Sequence, residues 1–369
     1  MRKVSIGSYI FDVHPTNTAL EAAFDRLYAR VIVAGERPHL DREFRDAARD
    51  YFDSKAITDY GAHDHYFYGF APLWAIFRGN WRFDLAEGIW RLSLEPVREW
   101  EQAHTGLEID KGLVYYFWAT TALMRGSIDS GYMLAHRSFE EDSRTTLGNK
   151  YPDTPAFALV SLNFVKQDQG FRLWVEEQAA FLRGFIEDYS KTHGRSLSLD
   201  EFRDRFLLKP PNHDTVFLLA YTIARLKELS EIPHEAKQSS FASQLQVNLL
   251  FDLVLVIDNA IKHHKPSARY FPALAAHLLD KANHKLNEVG ELNPQFDTNF
   301  GPTMTSALDV TLTLKGKKLG KLQCDLAAAY GIRNRGAHHL ESEPVVCKDF
   351  DRILHAIFRA LFAAVDHLY

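Results

Sequence analysis

The chain has 369 residues, of which 46% are hydrophobic and 25% charged, the balance of a folded globular protein with room for two or three domains. Its formal net charge of -5 excludes a uniformly basic, nucleic-acid-coating surface, although a local patch survives such averaging. Two cysteines, Cys324 and Cys347, are too few for a disulfide framework or a thiolate zinc site, and no uninterrupted apolar run approaches the roughly 18 residues of a membrane span.

Residues 1–10 lack the charged-then-apolar order of a secretory leader, so a cytoplasmic protein with reduced thiols and no membrane partner is expected. Apolar residues recur at three and four positions over long windows, and strict alternation is scarce; the class expected is all-α. From Asn17 the pattern runs through Leu20, Phe24, Leu27, Val31 and Val33. It returns, rich in aromatics, over Tyr66 to Phe77, Ala86 to Trp100, Leu113 to Leu123 and Tyr132 to Phe139. These lengths suit antiparallel helix hairpins. Two of them share an apolar helix that ends at a glycine turn, Phe77-Arg78-Gly79-Asn80 and Met124-Arg125-Gly126-Ser127. The arrangement loosely resembles tetratricopeptide-type repeats, but Gly79 and Gly126 are 47 positions apart where such repeats have a period of about 34.

Gly148, Asn149, Pro152 and Pro155 cluster as stop signals. Helices are then predicted over Ala156 to Val165 and Gly170 to Tyr189. Ser198 with Glu201 three residues on has the form of a capping box. Pro210-Pro211 precedes an apolar helix from Thr215 to Leu229. The polar stretch Glu231 to Gln238, with Pro233, is the expected domain boundary, dividing a helical-repeat-like sensor or regulatory domain (1–232) from a C-terminal bundle (238–369).

Within that bundle, helices are predicted over Ser240 to His264, with an apolar residue at every fourth position from Phe241 to Ile261, and over Arg269 to Leu286. Asn287 to Gly320 loses helical periodicity; Leu308 to Leu314 alternates and Lys315-Gly316-Lys317 can turn a small hairpin, a mobile loop being the alternative. A third helix starts near Gly320. A fourth runs from Lys348 to Leu368 with Phe350, Leu354, Ile357, Leu361, Val365 and Leu368 on one stripe. Four helices with an apolar stripe each make a bundle.

The third helix carries Arg333-Asn334-Arg335-Gly336-Ala337-His338, which places a guanidinium and an imidazole five positions apart. Arginine offers a planar fork of donors that matches phosphate oxygens. Histidine is the side chain whose ordinary pKa lets it take or give a proton near neutrality. Metal-free RNA cleavage requires both functions, so Arg333 and His338, with Asn334 between them, are the candidate catalytic residues. On an ideal helix Asn334 and His338 share a face, whereas Arg333 is displaced by about 140° from His338. A distortion at Gly336, or the reach of the arginine, has to bring them together. Between Thr311 and Leu340 six basic residues face one acid, Asp325; Arg335, His339, Lys317, Lys318 and Lys321 are the candidate RNA-binding residues. The same hexapeptide also suits an exposed helix end, where cations complement the dipole.

Residues 240–369, with Arg333, four intervening residues, His338 and a polar residue after the arginine, resemble the HEPN family, four-helix bundles many of whose members are ribonucleases. The resemblance implies a metal-independent endoribonuclease without cofactors. It implies an active cleft where two bundles meet in a homodimer, products with 2′,3′-cyclic phosphate and 5′-hydroxyl ends, and a role as a toxin or phage-defence effector. A second histidine from the partner would then supply the acid or base that one motif lacks. The alternative, from another class, is a non-catalytic helical adaptor that dimerises and binds a protein or RNA partner.

Other residues point less far. His63-Asp64-His65 lacks a further ligand at metal-binding spacing, so no metal is expected. His263-His264 precede Pro266 at a helix end, where protonated rings complement the dipole. Tyr115, Tyr116, Phe117 and Trp118 are able to stack bases, but at helical spacing they are more often core. No Walker loop, dinucleotide fingerprint, CxxC pair or nucleophile elbow is present.

Overall fold

A computed structural model describes residues 1–145, 154–167, 169–209, 212–233, 235–283, 289–338 and 344–369, and among these leaves the side chains of residues 166, 169, 170, 238, 240 and 336–338 undescribed. The fold is all-α apart from two short hairpins. It separates into two compact units, Met1–Ala158 and Leu159–Tyr369.

The first unit opens with an element the helical periodicity did not reveal. Strands β1 (Arg2–Ile6) and β2 (Tyr9–Val13) pair antiparallel, Val4 opposite Phe11 and Ile6 opposite Tyr9, and bury Val4, Ile6 and Val13 in the core. Helix α1 (Thr18–Tyr28) starts where Asn17 accepts the Leu20 N–H, and α2 (Arg42–Asp53) where Asp41 does the same for Phe44. The predicted Tyr66 to Phe77 helix is two helices, α3 (Tyr60–Tyr68) and α4 (Ala71–Gly79). The break falls at Gly69, where the Phe24 ring packs so close that a Cβ would sit 2.2 Å from its Cζ, and Pro72 opens α4 at a position that needs no N–H.

The chain continues through α5 (Phe83–Ala103), α6 (Gly112–Met124) and α7 (Ile128–Arg144) to α8 (Pro155–Val160). Consecutive helices from α4 to α7 pack on one another as hairpins, with Gly126 in the left-handed region at the second turn. An aromatic cluster fills the unit. Phe24 meets Phe44 and Phe70 edge-on at 5.0 Å, and Phe117 lies 4.7 Å from Trp74 and stacks on Trp90 at 5.6 Å, which assigns Phe117 to the core. The stop signals at 148–152 lie outside the described residues.

The second unit begins with α9 (Gln169–His193) and α10 (Leu199–Phe202), whose start is the predicted capping box: Ser198 accepts from the Glu201 N–H and Glu201 from the Ser198 N–H. After α11 (His213–Glu231) come α12 (Ser240–Lys262), α13 (Phe271–Lys281) and α14 (Asn293–Leu308). Strands β3 (Thr313–Leu314) and β4 (Lys317–Lys318) form the predicted hairpin, with Lys315 and Gly316 both at positive φ as a type I′ turn requires. Then follow α15 (Lys321–His338), α16 (Pro344–Lys348) and α17 (Phe350–Leu368).

Helices α12, α15 and α17 pack mutually and α13 touches all three, so the expected four helices form a bundle. Two differences stand out. The polar stretch 231–238 does not divide compact units, because α11 packs along α12 and α9 along α17. And α14 occupies part of the segment expected to be non-helical. Its periodicity is broken because Asn299 has non-helical angles (φ -142°, ψ 60°) and Pro302 sits inside it, so two short helical pieces meet at a kink. Helix α12 meets the length and composition of a membrane span over Phe241–Lys262, but Leu250, Leu253, Val254, Ile257 and Ile261 are buried within the bundle.

Candidate functional site

The hexapeptide occupies the C-terminal end of α15, and side-chain partners from α12 and α14 sort its residues by face. Arg333 points toward α12, donating from Nε to Asp258 Oδ2 at 2.8 Å. Its side chain is 29% exposed and that of Asp258 13%, so this is a sheltered pair with an open edge. Burial pushes the Asp258 carboxyl above its ordinary value, and the Arg333 guanidinium opposes that shift. Among the described residues the two Nη nitrogens of Arg333 meet no further acceptor.

Asn334 is turned by about 100° from Arg333 and faces α14, donating to Asn293 Oδ1 at 2.7 Å. Tyr330, one turn earlier on that face, donates to the same oxygen at 3.1 Å. The Arg335 guanidinium lies over the Phe300 ring at 5.7 Å. Tyr330, Gly331, Asn334 and Arg335 form one wall of a cavity of about 280 Å³, and Asn293, Phe296, Asp297 and Phe300 of α14 form the other. Gly331 is what lets α14 come so near, since a Cβ there would stand 2.6 Å from Phe296 Cε1.

Position 338 is the next on the face of Asn334 and closes the helix; the His338 side chain and all of His339 lie outside the described residues. The backbone is helical without interruption to His338, so no distortion at Gly336 rotates Arg333 round; the arginine stays on the α12 side, keyed by Asp258.

The lysines are spread along the unit. Lys321 starts α15, roughly 18 Å along the axis from Arg333 at 1.5 Å per residue, and donates to the Thr192 carbonyl at 2.9 Å, where it completes the C-terminal end of α9. Lys317 and Lys318 are exposed on β4. They belong to the opposite end of α15 from the hexapeptide.

His63 is buried with its Nδ1 accepting the Asp110 N–H at 3.1 Å, and His65 stacks on His14 at 4.5 Å. Among the described residues no group of three or more potential ligands is arranged for a metal. His263 is the residue that follows α12, as expected, but burial and then Lys262 push its ring toward the neutral form, so a charged imidazole is not what complements that helix end.

Two constellations escaped the sequence reading. In the first unit Asp64, Asp110 and Asp142 converge beside His63. Burial, then the other two aspartates, pushes the Asp142 carboxyl up to about 8; burial, then Asp110, pushes Asp64 up to about 7; burial, then Asp59 in opposition, leaves His63 lowered to about 4. In the second unit, Arg359 on α17 bridges two acids, reaching Asp325 on α15 at 2.6 Å and Asp188 on α9 at 3.0 Å, while His193 sits 3.0 Å from Asp325 and His355 3.0 Å from Asp188. Each set joins segments tens of positions or more apart in the chain, so local spacing alone does not announce it.

Compared with protein-family models, with curated proteins and with solved structures, the chain matches none.

Proposed function

We propose that the second unit is a HEPN-type, metal-independent endoribonuclease and that the first unit is a sensor or regulatory array for it, in a cytoplasmic toxin or defence effector. The observation that carries the reading is the placement of Arg333: a carboxylate holds its Nε, and its Nη edge meets no other acceptor among the described residues. A guanidinium fixed through one nitrogen presents its remaining fork in a set direction, which is how an arginine is prepared to receive a phosphate.

In this reading the 2′-hydroxyl of RNA attacks the adjacent phosphorus. A base takes the hydroxyl proton, the P–O5′ bond breaks, and an acid protonates the departing 5′-oxygen, leaving a 2′,3′-cyclic phosphate and a 5′-hydroxyl. His338 serves one proton transfer, and His338 of a second copy serves the other across a homodimer. Arg333 holds the nonbridging oxygens and stabilises the charge that grows on them in the transition state. Asn334, tied to Asn293, orients substrate at the cavity.

End-group analysis of RNA incubated with the full chain tests the reading. Cyclic phosphate and 5′-hydroxyl ends are expected, unaffected by EDTA and abolished in Arg333→Ala and His338→Ala. Loss of activity in EDTA, restored by one divalent ion, refutes the metal-free mechanism. The Arg333–Asp258 ion pair is also what a purely structural arginine makes, which favours a second reading, a non-catalytic adaptor that dimerises through the bundle. That reading prevails when the wild type cuts no RNA and both substitutions leave its cellular effect unchanged.

A further inference from the structure

The cavity between α14 and α15 has two kinds of lining. Phe296, Phe300 and Tyr330 are buried aromatics with little of their surface in water, and Arg335 extends the flat surface by lying over Phe300. Interleaved with them on both helices is a set of amide and carboxylate groups already oriented by one another. Asn293 is the hub: its Oδ1 accepts from both Asn334 and Tyr330, and its Nδ2 donates to Asp297 Oδ2 at 2.7 Å. With those bonds made, Asp297 Oδ1 and Asn334 Oδ1 have no donor among the described residues. The cavity therefore offers, on both of its walls, aromatic or guanidinium planes together with a fixed acceptor oxygen, that of Asp297 on α14 being charged and that of Asn334 on α15 neutral.

That combination, with the Asp297 carboxylate as an acceptor, suits a flat heterocycle with adjacent donors. Proteins read single-stranded RNA by stacking an unpaired base on aromatic or guanidinium planes and hydrogen-bonding its edge. Adenine and cytosine each present one exocyclic amine beside a ring acceptor, and uracil one N–H between two carbonyls. Guanine presents N1–H and N2–H₂ side by side, two donors for two acceptors, and a carboxylate is the acceptor that gains most from them. We infer that this cavity is a nucleobase subsite selective for guanine. The inference rests on the ribonuclease reading, and it adds that cleavage falls next to guanosine, because Asn334 belongs both to the hexapeptide and to the cavity wall.

Two measurements separate this inference from that reading. In equilibrium dialysis of the full-length protein against guanosine, adenosine, cytidine and uridine, guanosine is expected to bind at least on the order of tenfold more tightly than the others, the discrimination a matched two-donor contact delivers. Asp297→Asn, an exposed position on α14 whose fold is checked by circular dichroism, is expected to erase that preference, and Phe300→Leu to weaken binding of guanosine. Mapping of cut sites on a random-sequence RNA is expected to show guanosine at one fixed position beside the cut, and that enrichment is expected to fall in Asp297→Asn. RNA cut without base preference, together with equal binding of the four nucleosides, overturns the subsite and leaves the nuclease standing. Guanosine bound in an Asp297-dependent way by a protein that cuts no RNA supports the base site and overturns the nuclease.

Discussion

Asp142→Asn probes the carboxylate cluster of the first unit. Asp142 shares its surroundings with Asp64 and Asp110, and the other charges nearby are already engaged: Glu141 by Arg137 and Arg144, and Lys111 by Glu101. Burial and the neighbouring acids raise the folded carboxyl from 3.8 to about 8. A raised acid binds its proton more tightly in the folded state than in the unfolded chain. Stability is therefore fully present below about pH 4 and is lost as the pH climbs toward 8, the reverse of a salt-bridged carboxylate. Each pH unit in that window is worth about 1.36 kcal/mol, so between pH 5 and pH 8 the wild type loses up to about 4 kcal/mol through this group. Asparagine keeps the shape without the charge. The stability gap between variant and wild type is expected to widen with pH over that window by roughly 2–4 kcal/mol, in the variant's favour. His63, lowered from 6.5 to about 4, gives a slope of opposite sign between those pH values, but it is common to both proteins and cancels in the gap. Urea unfolding followed by tryptophan fluorescence reads the right unit, since Trp74, Trp81, Trp90, Trp100 and Trp118 all lie within it. A gap that stays constant from pH 5 to pH 8 would refute the argument that these acids are buried together.

Other outcomes follow from packing and pairing. Gly69→Ala drives a methyl into the buried Phe24 ring and is expected to cost about 1–3 kcal/mol in the same assay; an unchanged midpoint would show that Phe24 moves aside. Arg359→Met leaves the buried Asp325 carboxylate with His193 as its remaining side-chain partner, and a loss of about 3–5 kcal/mol is expected from the second unit, measured by amide hydrogen exchange of α15 and α17. On the proposed ribonuclease reading, Asp258→Asn keeps an acceptor for Arg333 but not its charge, so kcat for RNA cleavage is expected to drop several-fold with KM little altered; a kcat equal to that of the wild type removes Asp258 as a positioning residue.

Much of the architecture is readable in the amino-acid order because it rests on local physics. The stripe on α17 buries Leu354, Ile357, Leu361 and Val365 as its periodicity demands, and the Ser198–Glu201 box and the Lys315-Gly316 turn form from residues within three positions of one another. The strand hairpin at Val4 and Ile6 is equally local, but each strand has only five residues, too few to stand out from helical windows. Helix α14 is hidden for a different reason, since Asn299 and Pro302 cut its period into fragments that pack side by side against α15.

The chemistry divides in the same way. Which residue types sit at 333 to 338, and that they ride on one helix of a bundle, belongs to the sequence alone, because side-chain identity and helical spacing are properties of neighbours in the chain. Where Arg333 turns is another matter. Asp258 lies 75 positions earlier, Asn293 lies 41 positions before Asn334, and the acids around His63 come from three helices or their flanks. The direction of a guanidinium, the walls of a cavity and the affinity of a buried carboxyl for its proton depend on distances through space, and those exist only once the helices have packed.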